Sequence, residues 1–404
     1  MAATMRCLMR FNVGLASNVL LRNSILNSAA CRFIYSDVSL GLQGYENARL
    51  NFRNQFLNVE NTFRSKMEEV CNADSSMIFT EDLKSMLHLA QKKPEDIELL
   101  IKMLTKFNSQ SKEMRFGTFI FGPVVMRTFY YLDEPNLAYT AFKDPKFENF
   151  FDQLISYQIL LTLLYKHGKY PEMRDVYDII KNKPIDQGYA RNSFILVMAA
   201  CYKENTPETL EYGLHLWKEI DEKGHTIMRR ATSFLAALAI KQASPHIAVE
   251  ILSSIRMARY IHVRCLKVSA YTDLNRFTEI VPILRASLEH DRPNVNKESY
   301  FGDVIEKLQV AMAQENIPQD FELYKLLNLL KSNDQILPET LENSLCAEIR
   351  VDRSKRRDSD MSNRGFSRQN FGQNFGQNFG QQRQQRQQQT FSRNSRSAVQ
   401  NILL

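Results

Sequence analysis

Prolines recur down the middle of the chain at Pro94, Pro135, Pro171, Pro207 and Pro245, at intervals of 36 to 41 residues. Proline has no N–H to give and a fixed φ, so it suits the first position of a helix and breaks the interior. The residues after each proline fit a helix start. Ile97, Leu100, Ile101 and Leu104 come after the first, and Met173, Val176, Tyr177 and Ile180 after the third. Leu210, Gly213, Leu214 and Trp217 come after the fourth, and Ala248, Ile251, Leu252 and Ile255 after the fifth. Each set is spaced i, i+3, i+4, i+7, one face of an α-helix. Thr206 and Ser244 precede two of the prolines and are expected to cap with their hydroxyls. A start signal repeated at this interval describes a repeat protein, whose units cannot bury their apolar faces alone and stack into a solenoid.

The stretch before each proline is also helical. Thr80 is expected to cap a helix with Leu83, Met86, Leu87 and Ala90 on one face. Tyr157, Leu160, Leu161 and Leu164 repeat that spacing, and the runs from Phe194 to Tyr202 and from Ala231 to Lys241 are apolar. The chain thus reads as six helix–turn–helix pairs, over 80–109, 117–145, 153–181, 190–222, 230–256 and 259–290. The sixth is expected to start its second helix at Asp273 rather than at a proline. No stretch sustains the period-two alternation of a strand. Residues 45–71 read as one long polar helix carrying Phe52, Phe56, Val59 and Phe63, and 297–350 as two or three helices that close the solenoid. The divisions are 1–36, 37–79, the repeat array 80–290, capping helices 291–350, and the tail 351–404. The fold class is all-α.

The pattern within each repeat separates this array from tetratricopeptide repeats, which place a proline at the end of the second helix. Here an aromatic opens the first helix and a lysine ends it: Tyr157 and Lys166, then Phe194 and Lys203. Lys166-His167-Gly168 is similar to the K-x-G turn of a pentatricopeptide repeat. Phe121-Gly122-Pro123 through Tyr131-Leu132-Asp133, Ala200-Cys201-Tyr202-Lys203, and Arg229-Arg230-Ala231-Thr232-Ser233 resemble the mitochondrial pentatricopeptide repeat domain-containing protein 2 family of animals. The resemblance covers about 80–260. It implies a right-handed α-solenoid of pentatricopeptide-like repeats, non-catalytic, binding single-stranded mitochondrial RNA in transcript maturation.

The ends of the chain carry their own signals. Residues 1–36 hold Arg6, Arg10, Arg22 and Arg32 and no acid, the composition of a mitochondrial transit peptide. Cleavage is expected near Arg32 to Ser36, with the matrix as destination; the alternative is a disordered arm. The tail 351–404 repeats Asn-Phe-Gly-Gln words and glutamine runs, with Arg364, Arg368, Arg383 and Arg386 interspersed. Such a composition buries no core and is expected to be disordered. Arginine interleaved with phenylalanine suits loose RNA contact, and equally a self-associating polar tail. The formal net charge of +7 lies in these ends, so the segment between them is mildly acidic and any nucleic-acid surface there must be local. No run reaches the length needed to span a bilayer. Cys71, Cys201, Cys265 and Cys346 lie far apart and read as buried thiols in a reducing compartment.

Candidate chemistry is sparse. The seven histidines show no metal-ligand spacing, and neither a phosphate loop nor a nucleophile elbow occurs, so no cofactor, metal or catalytic site is expected. By the resemblance, the residue after the opening aromatic position faces a base; that alignment selects Gln158, Ile195 and Ser233. Glutamine and serine can hydrogen-bond a base edge and isoleucine cannot, a departure from one base per repeat. Arg229, Arg230, Arg256, Arg259, Arg264 and Lys267 cluster at two repeat junctions and form a candidate phosphate stripe; the alternative is a solvated edge that Glu250 and Asp273 partly neutralise. The rival reading is a protein-binding scaffold, associated with RNA-processing proteins or the mitochondrial ribosome, and a weaker one is an endonuclease.

Overall fold

The computed structural model describes residues 34–110, 119–185, 188–255, 259–289 and 297–349, which lie in the first of two units, Met1–Ile349. The expectations for residues 1–33 and for the tail fall outside the described residues. Eight helix pairs follow one another. They are α2 and α3 (Leu42–Phe56, Glu60–Asn72), α4 and α5 (Thr80–Leu89, Pro94–Ser109), and α6 and α7 (Gly122–Leu132, Pro135–Lys143). Then come α8 and α9 (Leu154–Lys166, Tyr170–Ile180), α10 and α11 (Arg191–Glu204, Pro207–Glu222), and α12 and α13 (Arg229–Lys241, Pro245–Ser253). The last are α14 and α15 (Ile261–Asp273, Ile280–Glu289) and α16 and α17 (Gly302–Gln314, Glu322–Ser332). The first helix of each pair packs on the first helix of the next, from α2 through to α16. This is an all-α helical-repeat protein.

The proline signals hold at all five sites. Pro94, Pro135, Pro207 and Pro245 are the first residues of their helices, and Pro171 is the second of α9. From the third pair to the eighth the turn within the pair carries a second device, a left-handed residue after the first helix. Asp133, Gly168, Asn205, Ala243, Asn275 and Asn316 have φ between 52° and 68°. The following N–H then reaches back to a carbonyl left free by the helix end: Glu134 to Phe129, Lys169 to Leu164, Ser244 to Ala239, Arg276 to Tyr271 and Ile317 to Met312. That is the Schellman arrangement.

Several local expectations are corrected. Thr80 is already helical and Phe79 holds the cap position, because the chain arrives there in extended conformation. Thr206 caps, in a reciprocal box with Thr209, whereas the Ser244 hydroxyl donates back to the Gln242 carbonyl and caps nothing. The second helix of the seventh pair starts at Ile280 after a 3₁₀ turn; Asp273 ends the first helix and pairs with Lys307. Residues 45–71 are not one helix. The chain turns at Leu57–Val59, so that α2 packs on α4 and α3 on α5. Phe56 meets Phe63 edge-on across that turn at 5.1 Å, and Phe52 stacks on His88. Two short parallel strands, Tyr300–Phe301 (β1) and Ile336–Leu337 (β2), also depart from the all-helical expectation; β1 leads into α16 and β2 follows α17.

A third layer has no marker in the sequence. Asp37–Leu40 (α1) packs on α8, and its end is held by Arg127 of α6, whose Nε donates to the Leu40 carbonyl. Leu341–Cys346 (α18) packs on α12 and α14. The two segments meet where the Ile349 N–H donates to the Ile34 carbonyl at 2.8 Å. The first helices α8, α12 and α14 therefore meet a further segment besides their repeat neighbours. Ten consecutive residues are buried in α8, Ser156 to Tyr165, and ten in α10, Ser193 to Tyr202.

Candidate nucleic-acid interface

The expected base-facing positions lie on the first helices and are covered. Gln158 is 6% exposed, Ile195 2% and Ser233 1%. The Gln158 side-chain oxygen accepts from Asn192 of the next repeat, which joins α8 to α10. The Ser233 hydroxyl has no partner among the described residues. In this conformation none of the three meets solvent.

The six basic residues do not share one surface stripe. Arg264 is buried, paired with Glu298 at 3.1 Å and donating to the Ser299 carbonyl. Arg230 is half-buried and donates from Nη2 to the Ser344 and Ala347 carbonyls, at 3.2 and 2.6 Å. Burial lowers the proton affinity of Arg230 and of the half-buried Lys267. Arg229 is exposed and lies over the Tyr260 ring. Arg259 is exposed, and its carbonyl accepts from Arg264. Arg256 lies outside the described residues, as do Arg364, Arg368, Arg383 and Arg386.

Two cations that were not among the expected phosphate contacts stand on the same face. Lys203 ends α10 and Lys241 ends α12, in the same place before their turns as Lys166 before its own. One carboxylate serves both: Glu342 of α18 lies 2.8 Å from Lys203 and 3.2 Å from Lys241. The Lys203 ammonium beside it holds the Glu342 carboxyl below the ordinary range, and Lys241 adds to this. Lys241 also lies 4.0 Å over the Tyr202 ring. Lys166, one repeat earlier, pairs instead with Asp133. From Glu342 the segment runs towards the N-terminal end of α12, where Arg230 holds its last carbonyls. Leu345 and Cys346 sink into the core, and burial pushes the Cys346 thiol up. Beneath it, Tyr35 Oη, Tyr165 Oη and Arg230 Nε have no hydrogen-bond partner among the described residues. Lys203 was legible as the lysine that ends a first helix nine residues after its opening aromatic, as Lys166 does, and Lys241 had no such marker. The cover was legible only indirectly: a helix apolar on all sides is packed on all sides.

Among the described residues no three His, Cys, Asp or Glu stand where they could hold a metal ion, and no helix is long and apolar enough to cross a membrane. Cys201, Cys265 and Cys346 are buried and unbridged, and burial pushes the first two thiols up to about 12.

No family model matches the chain. It is similar to the mitochondrial pentatricopeptide repeat-containing protein 2 of Mus musculus, 29% identical over 330 residues covering 80% of this chain and 84% of the relative. The proteins of the same name from Xenopus laevis and Homo sapiens are 26% and 25% identical, each across 78% of this chain. The helix-pair array agrees with this likeness: over most of its length the chain is similar to proteins that share one name, mitochondrial pentatricopeptide repeat-containing protein 2.

Proposed function

We propose that this is a non-catalytic protein of the mitochondrial matrix that binds single-stranded RNA and acts in the maturation or stability of mitochondrial transcripts, in support of the respiratory chain. One observation carries the reading. Lys203 and Lys241 stand at the ends of successive first helices and share a single carboxylate, while Arg230 at the other end of α12 donates to carbonyls and meets no carboxylate among the described residues. A row of cations repeated with the helices suits a regularly charged strand. The mitochondrial names of the relatives support the compartment. Phosphate contacts are assigned to Lys203, Lys241, Arg229 and Arg230. Gln158 and Ser233 reach a base only with the face uncovered, and Ile195 offers no polar atom, so reading of one base per repeat is not part of the proposal.

The test is a salt titration of binding to a single-stranded RNA. Each phosphate contact contributes about −0.7 to the slope of log affinity against log salt. Changing Lys203 and Lys241 together to Ala is expected to flatten the slope by about one unit and to weaken binding alike for different sequences. An unchanged slope removes those lysines from the interface.

The second reading is a protein scaffold, in contact with RNA-processing proteins or the mitochondrial ribosome. It is favoured by the same face, which accommodates a peptide, residues 340–349 of this chain, through apolar side chains and two ion pairs. A chain that binds no RNA even at low salt leaves the scaffold in its place.

A further inference from the structure

We propose that residues 340–349 are a built-in competitor for this face, with the Glu342 carboxylate between Lys203 and Lys241 standing where a phosphate of the strand would lie. The inference rests on the RNA reading above and adds its regulation: segment and strand exclude one another, and the chain holds itself closed.

Three observations carry it. The first is charge matching. One anion bridges cations of two successive repeats, which is what a phosphodiester would do, and the bridge leaves Glu342 45% exposed, at the rim rather than in the core. The second is that the closed state satisfies the face poorly. Among the described residues Arg230 has no carboxylate in ion-pair contact, and its Nε, the Tyr165 and Tyr35 hydroxyls and the Ser233 hydroxyl lack partners while buried. Buried donors without acceptors destabilise the arrangement that buries them. A strand rich in phosphate and base acceptors would supply those acceptors. The third is that the segment's hold is modest. Its one helix spans six residues, and of its side chains only Leu345 and Cys346 are fully buried. Its ion pairs are partly exposed, the kind that contribute little each. A short helix held by two buried side chains, two shared ion pairs and a few hydrogen bonds, those from Arg230, with His262 and between Ile349 and Ile34, can leave without unfolding the array, whose first helices also pack on one another and on the second helices.

Cys346 reports on the segment independently of RNA, since it is 4% exposed when the segment is seated. The experiment uses the full chain and follows alkylation of Cys346 by iodoacetamide, mapped by peptide mass spectrometry, with and without a saturating 20-nucleotide single-stranded RNA. Affinity for the same RNA is measured in parallel. The proteins are wild type, Glu342→Gln, and Glu339→Gln as a control that makes the same change of charge on a neighbouring exposed residue. RNA is expected to accelerate Cys346 alkylation in the wild type. Glu342→Gln is expected to accelerate it without RNA and to tighten RNA binding by about three- to tenfold, the factor by which the open fraction rises. Glu339→Gln is expected to do neither. If wild type binds RNA and Cys346 alkylation does not change on binding, the competitor idea is wrong while the RNA reading stands. If Glu342→Gln binds no more tightly than Glu339→Gln, the effect is one of net charge and the specific role of Glu342 falls. If none of the three proteins binds RNA at low salt, the RNA reading itself fails.

Discussion

His262 stands on the first turn of α14 with α12 on one side and α18 on the other. Its Nε2 lies 3.1 Å from the Ser344 hydroxyl, its ring is 5.8 Å from that of Phe301, and Arg230 and Arg229 are the charges that face it. Burial, then the two guanidinium groups, push its pKa down from 6.5 to about 4. The folded chain therefore keeps the ring neutral where the unfolded chain would protonate it. The stability this contributes is whole above about pH 6.5, is lost as pH falls from there to about 4, and changes no further below. A shift of that size corresponds to about 2 kcal/mol between pH 7.5 and pH 5. His262→Gln keeps a polar group beside Ser344 and removes the titration. Urea unfolding at the two pH values is expected to show a smaller acid loss in the variant than in wild type. Parallel losses would mean that His262 is not held neutral. Sequence reading found this residue only as one of seven scattered histidines, because its environment comes from α12 and from a segment some eighty residues away.

At the scale of the element, the repeat turn carries two separable devices, and each has a test. Ala243 occupies the left-handed position that Gly168 fills one way and Asn205 another. An alanine there bears the clash of its Cβ with the backbone, so Ala243→Gly is expected to stabilise by about 1 kcal/mol despite glycine's freer unfolded chain. Thr206→Ala removes a capping box and is expected to cost about 1 kcal/mol, whereas Ser244→Ala, which loses only a hydrogen bond to Gln242, should stay within about 0.5 kcal/mol. Denaturant midpoints at constant m decide all three, and a Ser244→Ala cost equal to that of Thr206→Ala would restore the capping role that the structure denies it. The pattern shows what was readable. Proline marks a helix start through its own ring, without help from the rest of the fold, so five starts were legible from single residues. The start at Ile280 carries Pro282 in its first turn, a marker that sequence reading passed over. The turn at Leu57–Val59 has none. It is fixed by which helix must reach which neighbour, and neighbours are not written locally.

At the scale of the molecule, the apolar runs Leu160–Tyr165, Phe194–Tyr202 and Phe234–Ala239 already required cover on both sides of the first helices, since none leaves a polar stripe for solvent. Which segments provide the cover was not legible, because Ile34 and Ile349 meet across nearly the whole described chain. That meeting bears on import. Ile34 is fully buried and Tyr35 is 5% exposed, so the basic, acid-free stretch cannot be removed as far as Ser36 without taking core residues with it. The mature N-terminus is therefore expected at or before Ile34, at the upstream end of the range its composition suggests. Deleting residues 1–33 is expected to leave the protein in the cytosol with its fold intact. Deleting 1–36 is expected to do the same to localisation and, in addition, to lower stability by about 4 kcal/mol or more, through loss of a fully buried isoleucine, most of a tyrosine and the hydrogen bond from Ile349. N-terminal sequencing of the mitochondrial protein, imaging of both deletions and their urea midpoints separate address from structure. Mitochondrial localisation of the shorter deletion would put the import signal elsewhere. Equal stability of the two would show that the N-terminal segment of this third layer does not support the array, and that the closed face depends on the C-terminal segment alone.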